Sequence, residues 1–118
     1  MLKVITLIKR KPGLSREEFR DYYESHHIPL IMSKFGRYFL DYRRNYLTGD
    51  EAASGNPDFD VVTECWMKDR ASMEECFAVA SDPANAAEVA ADEAKFTDRS
   101  SIRIYTAEEY PLDRPLPG

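Results

Sequence analysis

The stretch LKVITLIKRKPGLSREEF, from Leu2 to Phe19, contains a strand, a turn and the start of a helix. Residues 2–10 are apolar and β-branched on both alternating faces, which predicts a strand covered on both sides. A Pro-Gly pair then ends the strand. The segment Ser15–Glu18 has the spacing of a capping box, in which the serine hydroxyl and the glutamate carboxylate satisfy each other's backbone N–H groups. The stretch therefore predicts a strand followed by a helix that begins directly after Ser15.

Two adjacent histidines lie near the end of that helix, in the sequence YYESHHIPL. Helical spacing puts His26 on the packing stripe of Phe19 and Tyr23, whereas His27 and Tyr22 fall on its flanks. Adjacent side chains on a helix point about 100° apart, so they do not converge on one ion as an i, i+4 pair would. We therefore expect no metal site, and we expect the two histidines to differ in role.

Pro29 follows the histidines and lacks a backbone N–H. It also disfavours the α conformation at Ile28, so the regular helix is predicted to loosen near His27. This loosening would let the His27 side chain face a cavity instead of packing in the core. The next residues, LIMSKF, are predicted to form an irregular turn that ends at Gly36.

The rest of the chain alternates between strand and helix patterns. Asp69 and the pair Asp82-Pro83 mark helix starts. In the first of the later strands, alternation places Leu40 on the same face as Tyr42 and Arg44. The predicted elements are, in order, strand 37–47, loop 48–58, strand 59–67, helix 71–81, helix 84–95, strand 100–110 and an extended proline-rich tail over residues 111–118.

This order, βαββαβ, predicts an α+β, ferredoxin-like domain over residues 1–110 with a four-stranded antiparallel sheet. Two helices can cover only one face of such a sheet, so the other face is left open. Several hundred Å² of exposed apolar surface would be costly at about 25 cal/mol per Å². We therefore expect a two-fold homodimer packed through the open sheet face.

Composition excludes several classes of function. A formal net charge of -5 argues against binding nucleic acid, which needs clustered Lys and Arg. No apolar run approaches the roughly 20 residues of a membrane span, and the first residues lack a signal-peptide cleavage site. We therefore expect a cytoplasmic protein that contacts neither nucleic acid nor membrane. Cys65 and Cys76 are isolated and lack C-x-x-C spacing, which indicates reduced, buried thiols.

Three segments of the chain resemble the EthD-type proteins of the dimeric α+β-barrel superfamily: KRKPGLSREEFRDYYESHHIPL, DFDVVTECWM and DPANAAEVAADEAKFTD. The resemblance runs from Lys3 to about Tyr110. It implies a characteristic histidine at His27, preceded four residues earlier by an aromatic residue. It also implies a pocket between the helices and the inner strands, which relatives use for cofactor-free chemistry on aromatic or polyketide-like molecules. Such relatives are cyclases, dehydratases, decarboxylases, isomerases and monooxygenases.

The leading functional hypothesis is acid/base catalysis by His27 on a small aromatic or polyketide-like substrate, without a cofactor. An imidazole titrates near neutral pH and suits proton transfer there. A carboxylate has to fix its tautomer, and the matching segments offer three candidates: Asp92, Glu64 and Asp60. The sequence carries no dinucleotide, haem-attachment or P-loop motif.

Aromatic and polar residues near these segments are the candidate pocket walls. A tyrosine combines an apolar body with a hydroxyl that can hold a substrate oxygen. Carboxylates within an apolar strand need a partner, and Arg44 is a candidate ion-pair partner for Asp60 or Glu64. The candidate substrate contacts are Tyr22, Tyr23, His26, Tyr42, Asp60 and Trp66.

Two other classes of function fit the same residues. One is a non-catalytic protein that binds a small apolar molecule, for example as an accessory to an oxygenase or a degradation pathway. The other is a purely structural dimerisation module. A histidine that only donates to a backbone carbonyl would favour binding, whereas a carboxylate behind a cavity-facing imidazole would favour catalysis.

Overall fold

The computed structural model describes residues 1–49 and 54–118. The predicted loop over residues 48–58 therefore lies partly outside the described residues. The regular elements are β1 (Leu2–Ile8), α1 (Arg16–Tyr22), α2 (Ile28–Phe35), β2 (Phe39–Tyr46), β3 (Val61–Met67), α3 (Arg70–Ser81), α4 (Pro83–Phe96) and β4 (Arg103–Ala107). One π-helical turn (Tyr23–His27) joins α1 to α2, and short 3₁₀ turns precede β2 and β4.

The four strands form one sheet in the order β2-β3-β1-β4, with every neighbouring pair antiparallel. This is the strand order of the split βαβ arrangement. The predicted fold class, α+β and ferredoxin-like, is confirmed. The strands are shorter than the sequence pattern suggested, because 3₁₀ turns replace the first residues of the strands predicted from 37 and from 100.

The capping box is present as predicted. The Ser15 hydroxyl accepts from the Glu18 backbone N–H at 3.0 Å, and the Glu18 carboxylate accepts from the Ser15 N–H at 3.0 Å. Asp69 and Asp82 cap α3 and α4 in the same manner, each accepting from a backbone N–H three residues ahead. Local side-chain caps therefore fix the starts of three helices.

The prediction of an irregular turn after Pro29 is wrong, because α2 is a regular helix that ends at Phe35. Ile28 has α backbone angles (φ -59, ψ -50), despite preceding a proline. Its N–H donates to the carbonyl of Tyr23, five residues back, so the π turn takes up the irregularity. Pro29 then lies in the first turn of α2 and donates no N–H to a helical hydrogen bond.

A β-bulge between Phe39 and Asp41 changes the predicted faces of β2. The extra residue turns Leu40 outward, where it is 57% exposed. Phe39 instead lies beside Tyr42, with 5.4 Å between the ring centroids. The placing of Leu40 with Tyr42 is therefore wrong, because strict alternation does not survive a bulge.

The helices pack on one face of the sheet and enclose the core. One cluster surrounds Val4, Cys65 and Phe35, and the other surrounds Phe19 and Phe96. The opposite sheet face, named the open face here, is covered by no element within residues 1–49 and 54–118. It carries a mixture of apolar and charged side chains, among them Lys3, Ile5, Leu7, Val62, Glu64, Trp66 and Tyr105.

Residues 108–118 after β4 contain neither helix nor strand, so the last strand, which was predicted to reach residue 110, ends at Ala107. None of the described helices has the length and apolar character needed to cross a membrane.

Candidate acid/base site in the helix-sheet cavity

A cavity of about 170 Å³ lies between the helices and the inner face of the sheet. Alternate residues of β1 and β3 form its floor, since side chains two apart point to the same face. Helices α2, α3 and α4 supply the roof. The polar residues that line it are Thr6, Tyr23, His27, Tyr42, Thr63 and Glu93.

His27 is 5% exposed and lines this cavity. It is the last residue of the π turn, and its ring contacts Tyr23 and Phe96 with centroid distances of 5.0 Å each. The wider π turn therefore places a polar side chain inside the core, as π turns often do at functional sites. His26, by contrast, is exposed and lies over the Tyr22 ring at 4.7 Å.

Asp92 on α4 holds one side of the His27 ring. His27 Nδ1 donates to Asp92 Oδ2 at 2.7 Å, and the Tyr22 hydroxyl donates to Asp92 Oδ1 at 2.7 Å. Burial, and then the bond to Asp92, raise the pKa of Tyr22 to about 12, so Tyr22 stays a hydrogen-bond donor at neutral pH. Of the three carboxylates predicted from sequence, Asp92 is the one that contacts His27.

The second ring nitrogen of His27, Nε2, forms no hydrogen bond with any described residue. Throughout the described part of the chain, no side-chain nitrogen or oxygen is both buried and unpaired. Nε2 therefore keeps an accessible surface, and the space beside His27 is the cavity. With Nδ1–H bound to Asp92, the neutral imidazole presents the Nε2 lone pair to that space.

A chain of three hydroxyl groups lies on the cavity floor. The Tyr23 hydroxyl contacts the Tyr42 hydroxyl at 3.0 Å and the Thr63 hydroxyl at 2.7 Å. Burial raises the pKa of both tyrosines, so all three groups remain protonated and the chain ends in a hydroxyl that can bind a ligand oxygen. Tyr23 and Tyr42 both line the cavity.

Glu93 lines the cavity as well, and sequence reasoning did not select it as a site residue. A signal was available: Val89, Glu93 and Phe96 share one stripe of α4, and the outer two of these are buried or partly buried apolar residues. A carboxyl group on an apolar stripe is expensive unless it has a role or a partner.

The structure corrects the positions predicted for Glu64 and Trp66, which lie on the open face instead of in the cavity. Glu64 pairs with Lys3 and accepts from Asn45 at 2.9 Å, and these bonds lower its pKa. Trp66 Nε1 donates to Glu109 at 2.8 Å. Both side chains belong to the alternate set of β3 whose face the helices leave uncovered.

Asp60 and Arg44 are also held away from the predicted roles. Asp60 accepts from the backbone N–H of Arg10 at 2.8 Å, beyond the end of β1. Arg44 pairs with Glu24 of the π turn, with its Nε donating at 2.9 Å, so it is not the partner of Asp60 or Glu64. The Tyr46 hydroxyl donates to the same Glu24 at 2.6 Å. These contacts tie β2 to the helical segment that carries His27.

Cys65 and Cys76 are free, buried thiols on the cavity wall. Burial raises the pKa of Cys65 to about 12, which disfavours the thiolate form needed for nucleophilic chemistry. In residues 1–49 and 54–118, no three His, Cys, Asp or Glu side chains converge in a way that could hold a metal ion.

The EthD domain profile matches residues 11–100. The chain belongs to the EthD family. Solved structures agree with this fold: an EthD family protein from Bacillus halodurans is 19% identical, with a TM-score of 0.66 over 93% of this chain and 100% of its own. An EthD-like protein from Ralstonia eutropha is 18% identical, with a TM-score of 0.67 over 96% of this chain and 94% of its own.

A third structure, a dimeric protein of ferredoxin-like fold from Bacteroides fragilis, is 14% identical, with a TM-score of 0.57 over 92% of this chain and 95% of its own. At these identities the likeness shows the shared fold alone. No curated protein matches the chain.

Proposed function

We propose that this EthD-family chain is a cofactor-free acid/base catalyst for a small aromatic or polyketide-like substrate bound in the helix-sheet cavity. The contact that carries this proposal is the 2.7 Å bond from His27 Nδ1 to Asp92, which leaves Nε2 without a partner among the described residues, on a side chain that lines the cavity. A carboxylate behind a cavity-facing imidazole is the arrangement that favours catalysis over simple binding.

In the proposed mechanism, the Nε2 atom of neutral His27 removes a proton from the substrate. Asp92 keeps the proton of the neutral ring on Nδ1 and stabilises the imidazolium that forms. The Tyr22 hydroxyl holds the other oxygen of Asp92, so the carboxylate cannot rotate away from the histidine. The hydroxyl chain of Tyr42, Tyr23 and Thr63 binds a substrate oxygen on the floor of the cavity.

The size of the cavity limits the substrate. A volume of about 170 Å³ is close to the roughly 150 Å³ of an apolar cavity that binds benzene. One six-membered ring therefore fits inside. Phe77 and Ile104 line the cavity but are 39% and 57% exposed, which marks a mouth between α3 and β4. A larger substrate would extend through this mouth.

The test uses cyclohexanone, whose ring matches the cavity and whose α-protons exchange slowly in D₂O. NMR measures the rate of deuterium incorporation with and without the protein. We expect the wild type to accelerate exchange and His27→Ala to lose about 10²-fold or more of that acceleration. His26→Ala is the matched control, because this exposed neighbour lies outside the cavity. Equal rates for the wild type and His27→Ala would refute the proposal.

The second candidate function is non-catalytic binding of a small apolar molecule. It is favoured by the many apolar side chains of the cavity wall, such as Ile8, Ile31 and Met67. Ligand binding would slow the reaction of Cys65 and Cys76 with a small thiol reagent, because both thiols line the cavity. Protection by cyclohexanone without any accelerated exchange would support this alternative.

We also propose that the open face forms a homodimer interface, as the sequence analysis predicted. Partly buried apolar residues such as Ile5 and Leu7 lie there among charged ones that are already paired within the chain, including Lys3 with Glu64. The dimeric relative from Bacteroides fragilis supports this proposal. Sedimentation at micromolar concentration should give a dimer for the wild type and a monomer for Ile5→Asp. Ala78→Asp, on the exposed side of α3, is the control and should remain a dimer. A wild-type monomer would contradict it.

A further inference from the structure

We propose that Glu93 is the second proton-transfer group of the cavity, acting as the acid that complements His27. This inference rests on the proposed function and goes further by naming the acid and the class of substrate. Glu93 and Asp92 are neighbours on α4, yet they have different surroundings. Asp92 contacts Tyr22 and His27 Nδ1, whereas Glu93 lines the cavity itself.

The position of Glu93 on α4 supports this role. The residues four before and three after it, Val89 and Phe96, pack in the core, so the helix directs the Glu93 side chain inward. Its side chain is 19% exposed. Arg99 Nε lies 3.5 Å from Glu93 Oε1, and the Arg99 side chain is 55% exposed.

Four influences act on the charge of this carboxyl group. Burial favours the neutral acid, and the nearby Asp92 acts in the same direction. His27 and Arg99 favour the carboxylate, but the Arg99 charge is screened by water. Burial is the largest of these effects, and the pKa of Glu93 is raised above its ordinary value of 4.5. A raised pKa brings a carboxylic acid closer to the range in which it can donate a proton near neutral pH.

A neutral His27 and a protonated Glu93 together can enolise a ketone. His27 Nε2 takes the proton from the carbon next to the carbonyl, and the electrons of the broken C–H bond form the new carbon–carbon double bond. The carbonyl π electrons move to oxygen, which takes the proton from Glu93. The products are an enol, an imidazolium and a carboxylate. After the imidazolium exchanges its proton with the D₂O solvent, the reverse transfers place deuterium on the carbon and restore both groups. No oxidant or reductant is needed. Because the cavity holds one six-membered ring, the inferred substrate class is an enolisable ketone of that size.

The experiment measures deuterium exchange of cyclohexanone across a pH series. We expect Glu93→Gln to slow exchange at least about tenfold at neutral pH, because glutamine keeps the shape but cannot transfer a proton. The fall in rate that accompanies loss of the Glu93 proton as pH rises should vanish in this variant. Glu75→Gln on the exposed side of α3 is the matched control and should retain the wild-type profile.

The outcomes separate this inference from the proposed function. If His27→Ala loses exchange while Glu93→Gln matches the wild type, the role of Glu93 is overturned and the function stands. If neither variant differs from the wild type, both are overturned. A carbon-13 NMR titration of the Glu93 carboxyl group gives an independent readout. A midpoint at or below 4.5 would overturn the inference whatever the exchange rates are.

Discussion

Replacing Asp92 by alanine tests the His27–Asp92 contact directly. The substitution removes the acceptor of two hydrogen bonds, each 2.7 Å long, from His27 and Tyr22. A hydrogen bond to a charged group contributes about 1.5–3 kcal/mol. The side chains of His27 and Asp92 are 7% and 11% exposed, so water replaces the lost bonds poorly. We expect the free energy of unfolding to fall by between about 3 and 5 kcal/mol.

Urea unfolding followed by Trp66 fluorescence measures this loss. Tyr22→Phe removes one of the two bonds and should cost about 1.5 kcal/mol in the wild-type background. In the Asp92→Ala background the same change should cost less than about 0.5 kcal/mol, because its acceptor is already absent. Asp21→Ala, on the exposed side of α1, is the control and should stay within about 0.5 kcal/mol of the wild type.

The tautomer of His27 supplies a second readout. Nitrogen-15 NMR should find the proton of the neutral wild-type ring on Nδ1 and a mixture of tautomers in Asp92→Ala. Two results would refute the reasoning. One is an Asp92→Ala variant as stable as the wild type, and the other is a His27 tautomer that does not change when the carboxylate is removed.

Four further substitutions are predicted to change stability in ways that urea unfolding can measure. Phe96→Ala should lower the free energy of unfolding by about 3–5 kcal/mol, since this ring is 0% exposed; a loss below about 1 kcal/mol would contradict the packing. Ser15→Ala should cost about 0.5–2 kcal/mol through loss of the capping box, and an unchanged stability would argue against that cap. Bonds from Arg44 hold the pKa of Glu24 below 4.5 in the folded chain. The unfolded chain therefore binds more protons, and the free energy of unfolding falls as pH drops from 4.5 through the lowered folded pKa. In Glu24→Gln the free energy of unfolding should fall less steeply as pH drops. An equally steep fall in the variant would contradict the role given to the Arg44–Glu24 contact. Burial raises the pKa of Glu93, so stability falls as pH rises from 4.5 through the raised value. Glu93→Gln should therefore be more stable than the wild type at pH 7, and a less stable variant would be inconsistent with a raised pKa.

Local features of this chain were predictable from sequence because their causes lie within a few residues. The capping box at Ser15 needs only the residues up to Glu18, and the order of strands and helices along the chain follows from alternation and turn signals. The sequence also predicted that His26 and His27 differ in role. The predicted positions on the packing stripe were wrong, because His26 is exposed and His27 is buried. The π turn rotates both side chains relative to an ideal helix, and spacing rules for a regular helix miss that rotation.

Other errors came from features that pattern rules cannot detect. The bulge at Phe39–Asp41 adds one residue to β2 and reverses the face of Leu40. The alternation of apolar and polar residues in the sequence does not indicate this bulge. Glu64 and Trp66 were chosen because they lie in a segment that resembles the EthD family. Alternation divides β3 into two sets of residues but does not indicate which set the helices cover. That choice depends on how the whole helical layer packs against the sheet.

The sequence by itself determined the order of elements, the helix caps and the choice of His27 over its neighbour as the candidate base. Only the tertiary structure decided which groups surround that histidine. Asp92 is 65 residues away in sequence and Thr63 reaches Tyr23 across 40 residues, so these contacts exist only once α4 and β3 have packed around the π turn. Periodicity and capping act between residues a few positions apart, whereas the acid/base site is built from side chains that packing alone brings together.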